Sequence, residues 1–132
     1  MKISKKAYYG LRAVTALAQA KQALSIRTLA KMEKLPEYYL EKILQGLRKA
    51  SIVKSQKGVM GGYVLARETK NINVWEVLRE LDEPIKPFAP PIKDTLPCTH
   101  PSHCQTNQIW RVLEKEIKTT LSNITLDKLL QQ

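Results

Sequence analysis

The chain has 132 residues, 43% of them apolar, and carries 22 Lys/Arg against 12 Asp/Glu for a net charge of +10. That length and apolar content suit one folded domain with its own core and exclude a disordered chain. Two cysteines are too few for a secreted disulfide scaffold. No apolar run approaches the roughly 18 residues of a membrane span, so a cytoplasmic protein with no membrane partner is expected.

The charge is segregated. Residues 1–70 hold 15 Lys/Arg and 4 Asp/Glu, whereas residues 71–132 hold 7 and 8. A basic half joined to a near-neutral half points to a polyanion-binding module attached to something else.

Along the chain, Ser4 is a candidate cap for a helix over 5–21, where Ala7, Leu11, Val14 and Ala18 step by helical intervals. Ser25 can cap a short second helix with Ile26, Leu29 and Ala30 on one face. In LPEYYLEKILQGLRKAS, Pro36 sits where a first helical turn tolerates it. Leu40, Ile43, Leu44 and Leu47 then form a buried stripe, and Glu37, Tyr38, Glu41, Lys42, Gln45, Arg48 and Lys49 lie opposite. After Ser51 the period changes. IVKSQ and YVLAR predict two strands joined by KGVMGG, a hairpin too small to stand alone. Asn73 to Glu76 resembles a capping box, and Val74, Val77, Leu78 and Leu81 carry a helix towards Pro84. Between 84 and 104 lie six of the seven prolines, which predicts a loop. A last long helix has Ile109, Leu113, Ile117 and Leu121 at i+4 steps. Asn123-Ile124-Thr125 breaks it, and LDKLL adds a final turn.

Helix, short helix, helix and hairpin, in that order, is the layout of a winged helix-turn-helix. The expected fold is therefore mainly α with a small β-hairpin wing and a long C-terminal helix. Three regions follow: a DNA-binding domain over 1–83, a Pro-rich sensor or linker loop over 84–104, and a long helix with its terminal turn over 105–132, which the resemblance given below makes a dimerisation helix. An α-helix fits the major groove of duplex DNA, and a basic hairpin beside it can reach phosphates or the minor groove. Lys54 and Lys57 supply charge there, and glycines 58, 61 and 62 permit positive φ angles and close approach. Ser25, Arg27 and Tyr63 complete the candidate DNA-contacting set with the outer face of the third helix, Gly61 and Gly62. Two rivals stand beside this reading. An enzyme lacks support, since no acid/base pair, nucleophile constellation or dinucleotide fingerprint occurs. A winged module that binds protein instead of DNA is separable by salt dependence.

The residues resemble a known family over essentially the whole chain: the IscR/NsrR/CymR regulators, the Rrf-type winged-helix transcription factors of bacteria. The resemblance is carried by MKISKKAYYGLRAVTALA, by YYLEKILQGLRKASIVKSQKGVMGGYVLAR with its YLE triplet and GxxGGY turn, by INVWEVLRELDEP, and by IW with the closing NITLDKLL. It implies a homodimer whose long C-terminal helices cross, with Ile109, Leu113, Ile117 and Leu121 at the contact. Palindromic operators and repression are implied as well. Tyr39 and Glu41 match the positions the family uses for base reading, where a carboxylate can accept from cytosine N4.

The stretch PCTHPSHCQTNQIW holds both cysteines. Cluster-sensing relatives carry three cysteines here, the last two spaced as Cys98 and Cys104 are, and some add a histidine before the Trp. In this chain the first cysteine position falls at about Ile92 and the histidine position holds Asn107. The open alternatives are a [2Fe–2S] cluster with substitute ligands, a zinc site from Cys98, His100, His103 and Cys104, a Cys98–Cys104 disulfide, and an idle loop.

Overall fold

The computed structural model describes residues 3–82 and 105–131. The expectations for Cys98, His100, His103 and Cys104, and for the loop over 84–104, lie outside the described residues. Six helices and one hairpin follow in the order α1 (Lys5–Ala20), α2 (Ile26–Glu33), α3 (Glu37–Lys49), β1 (Val53–Gln56), β2 (Gly62–Leu65), α4 (Val74–Leu81), α5 (Gln105–Asn123) and α6 (Leu126–Leu130). A single 3-10 turn at Thr69–Asn71 precedes α4 and has no signature in the hydrophobic pattern.

Local signals explain most of these boundaries. Ser4 caps α1 by accepting from the Ala7 N–H at 3.1 Å, and Ser25 caps α2 by accepting from the Thr28 N–H at 3.1 Å. Pro36 is the N-cap of α3, just ahead of the first turn, where its missing N–H leaves nothing unsatisfied. Asn73 and Glu76 form the full capping box of α4, each side chain bonded to the other's backbone N–H at 2.9 Å.

The core gathers α1, α2, α3, α4, α6 and the base of the hairpin. Leu40, Ile43, Leu44 and Leu47 of α3 are fully buried, alongside Val14, Leu29, Ile52, Ile72, Val77 and Leu126. Gly10 lets α1 approach α4, since a β-carbon there would overlap Leu81 Cδ1. An ion pair joins α1 to α2, with Arg12 Nε 2.7 Å from Glu33 Oε2 in a contact without hydrogen-bond alignment. The Glu33 carboxylate holds the Arg12 guanidinium above its ordinary pKa.

The hairpin is antiparallel, pairing Val53 with Leu65 and Gln56 with Gly62. It has a third, one-residue member. Leu24, in the α1–α2 connection, bridges to Tyr63 through two backbone hydrogen bonds of 3.0 and 2.8 Å. Gly62, at φ +155°, makes this possible, because a β-carbon there would run into the Leu24 carbonyl.

The C-terminal segment returns to the same core. Asn73 and Thr125 form an isolated bridge, with Val74 N–H donating to Ile124 O and Leu126 N–H to Ile72 O, each at 2.9 Å. Thr125 hydrogen-bonds the Asp127 carboxylate, which lowers the Asp127 pKa.

Truncating the buried face of α3 should be costly. Leu47→Ala is expected to lower stability by about 2–5 kcal/mol, read as a lower denaturation midpoint at unchanged slope.

Candidate nucleic-acid interface

Helix α3 is amphipathic by construction: a stripe buried to zero exposure fixes which residues face out. Glu37, Tyr38, Glu41, Lys42, Gln45, Arg48 and Lys49 all point to solvent, Tyr38 with 67% of its surface exposed. None of these charged groups forms an ion pair among the described residues, and Glu41 in particular has no cation partner. A row of unpaired polar side chains on a rigid helix can meet a base-edge pattern without first breaking internal bonds.

Tyr39 is placed differently. It is half-buried and meets Tyr9 of α1 edge-on, with ring centroids 6.4 Å apart, so part of its ring anchors the start of α3. The same dual character holds for Ser25, whose hydroxyl caps α2 and donates to Thr28 Oγ1 at 2.9 Å. Arg27 is exposed. Lys31 and Lys34 follow it at steps of four and three, lining with it a shallow concavity that ends at Glu37. These two lysines were absent from the expected set, although their helical spacing from Arg27 was visible in the sequence.

In the wing, Lys54 and Lys57 are exposed. Gly58 and Gly62 take positive φ and Gly61 does not. Gly61 instead closes the turn, its N–H donating to Gly58 O at 2.9 Å. Tyr63 is half-buried against the core, so its backbone ties the wing to Leu24 while its ring packs inward.

Arg67, which the sequence did not single out, fixes the base of the wing. Its Nε donates to Ser51 O at 3.1 Å, and its terminal nitrogens reach Asn71 O at 2.9 Å and Glu76 Oε2 at 3.1 Å. Ser51 stands at φ 57°, ending α3 and aiming the chain into β1. A single guanidinium thus joins the exit of α3, the exit of β2 and the start of α4.

Among the described residues, no group of three or more His, Cys, Asp or Glu side chains could hold a metal ion. In the same residues, no helix is long and apolar enough to cross a membrane.

Two helices in a helix-turn-helix arrangement, a third-helix face left polar and unpaired, and a basic hairpin beside it define a winged-helix DNA-binding protein. Comparison with known proteins specifies it further. The Rrf2 family, described as an iron-dependent transcriptional regulator, matches residues 3–132, and the chain belongs to that family of transcriptional regulators. It is 34% identical over 131 residues to the regulator CymR of Bacillus subtilis, covering 98% of this chain and 89% of that protein. It is 31% identical to the regulator IscR of Vibrio atlanticus, covering 99% and 76%. Among solved structures it resembles T. potens IscR, with a TM-score of 0.78 and 34% identity over 99% of this chain and 87% of the other. The structure of CymR, the global cysteine regulator of B. subtilis, matches with a TM-score of 0.78, 33% identity and 98% and 95% coverage.

If the wing lysines meet phosphates, their loss should act uniformly on all sequences. Lys54→Ala and Lys57→Ala are each expected to reduce the slope of log affinity against log salt by about one per bound subunit in fluorescence-anisotropy titrations of duplex DNA.

Proposed function

We propose that the protein acts as a homodimer on operator DNA of two-fold symmetry and represses by occupying it. The observation that carries this reading is the unpaired polar face of α3 beside a basic wing, both rigidly held by the core. Glu41 then reads a cytosine through its N4 amino group, while Tyr38, Gln45 and Arg48 meet neighbouring bases and phosphates.

Dimerisation is supported by the long helix. Helix α5 spans 19 residues, about 28 Å at 1.5 Å per residue. Its apolar residues divide into two groups. Leu121 packs on the chain's own core, whereas Ile109 and Val112 are 54% and 58% exposed, Leu113 lies beside them, and Ile117 is half-exposed. An apolar stripe of that length is costly in water, and a second copy of the same helix offers a matching surface. Two-fold symmetry places the two α3 helices about 34 Å apart, one turn of duplex. Ile109→Glu with Leu113→Glu is expected to halve the mass in sedimentation and weaken operator binding about 100-fold or more, because each monomer then binds one half-site alone.

The signal is proposed to enter through Cys98 and Cys104. For a cluster held as in the cluster-sensing relatives, the donor set does not fit: Ile92 and Asn107 stand at two of the four ligand positions and offer neither thiolate nor imidazole. Two thiols suffice for a disulfide, and with His100 and His103 they have the atom types of a zinc site. Both chemistries need both sulfurs. Cys98→Ser/Cys104→Ser is therefore expected to bind duplex DNA with the same affinity under oxidant, reductant and chelator, where the wild type responds to at least one. Metal content of protein purified without oxygen separates zinc from disulfide, and near-stoichiometric iron with sulfide would overturn the donor-set argument.

A further inference from the structure

The wing ends in two apolar side chains that nothing among the described residues covers. Val59 is 105% exposed and Met60 82% exposed. They occupy the central positions of the turn closed by Gly61 N–H on Gly58 O, so both project beyond the ends of β1 and β2. Neither packs against the hydrophobic core. Turn chemistry alone favours Gly, Asn, Asp or Ser at such positions, so an apolar pair is not explained by the hairpin.

The surroundings of the tip select its partner. Residues 42–67 contain Lys42, Arg48, Lys49, Lys54, Lys57 and Arg67 and no carboxylate. An apolar tip on a hairpin whose charged side chains, over 53–65, are Lys54 and Lys57 alone fits a partner with a polyanionic rim and apolar surface between its walls. The minor groove of duplex DNA is such a partner: it is about 6 Å wide and walled by phosphates, its floor carries polar base edges, and it exposes apolar base faces where a step is unstacked. Methionine is unbranched and polarisable, and it is among the side chains that enter base steps from the minor groove.

We propose that Val59 and Met60 form a minor-groove wedge. Met60 enters at a base step, Val59 lies against the adjoining sugar edge, and Lys54 and Lys57 hold the flanking phosphates. Pyrimidine–purine steps unstack most easily, so the wedge reads DNA deformability at a fixed offset from the bases that α3 touches. The wing tip is then a specificity determinant in its own right. This inference rests on the DNA-binding reading above.

The test is site selection from a fully randomised duplex pool by the wild type and by Val59→Ala/Met60→Ala, with thermal unfolding as a check that the exposed substitutions leave the fold intact. Wild-type sites are expected to carry a pyrimidine–purine step at constant distance outside each half-site. The variant's sites should keep the half-site and lose the step. On the wild-type site the variant should bind about tenfold more weakly with an unchanged salt slope. A 2-aminopurine placed at the step should brighten with the wild type and stay dark with the variant. Identical selected sequences and affinities would overturn the wedge, as would an effect of the variant on self-association alone, which would make the tip a protein contact. Failure of the wild type to enrich any sequence would instead overturn the DNA reading beneath it.

Discussion

The burial of Leu40, Ile43, Leu44 and Leu47 is the constraint on which the rest of the molecule depends. A helix that packs four side chains to zero exposure has no rotational freedom left about its axis. Its opposite face is therefore presented at one angle only. The polar side chains there make no ion pairs that would compete with a partner, so the entropy of orienting the helix is already spent in folding. What remains to be ordered on binding is the side chains themselves, and that favours discrimination between sequences over simple adhesion.

The wing is held by the apolar base of the hairpin, where Ile52 and Val53 are buried and Tyr63 and Leu65 pack on the core, and by polar connections as well. Arg67 spans Ser51, Asn71 and Glu76, and Glu76 in turn completes the cap of α4 through Asn73. Asn73 is also the residue that bridges to Thr125 at the junction of α5 and α6. Hydrogen bonds thus reach from the wing base to Asn73, and those of its neighbours, Val74 N–H to Ile124 O and Leu126 N–H to Ile72 O, tie this segment to the end of the long helix. On the other side, the Leu24–Tyr63 bridge fastens the hairpin to the α1–α2 connection, so the wing pivots between two anchors and is not a free arm.

Much of this was legible in the sequence because it is periodic or capped. The stripes of α1, α3 and α4, the caps at Ser4 and Ser25, and the box at Asn73 each follow from spacing alone. The parts that were not legible are pairings of single residues far apart in the chain. Leu24 with Tyr63 and Asn73 with Thr125 have no period and no turn signature, and only tertiary packing brings them together. Arg67 was missed for the same reason, since its three acceptors are backbone carbonyls and one carboxylate contributed by different segments. Lys31 and Lys34 are a different case: their spacing from Arg27 was readable. Among the expected DNA-contacting residues, Ser25 has the capping duty its position announces, while Tyr39 and Tyr63 pack part of their rings on the core, which spacing does not decide because a half-buried ring and an exposed one look alike in a pattern of letters.

Two of the apolar surfaces exposed among the described residues, the α5 stripe and the wing tip, differ in a way that bears on their partners. The stripe on α5 is long, straight and interleaved with both signs of charge, as Arg111, Glu114, Lys115, Glu116 and Lys118 show. Mixed charge of this kind suits the proposed two-fold pairing, in which cations of one copy would face carboxylates of the other. The wing tip is a point, only two residues wide, with charge of one sign around it. Two such tips would repel each other. Size and charge balance together therefore support the proposal that a second copy of the chain covers the helix and a polyanion the hairpin.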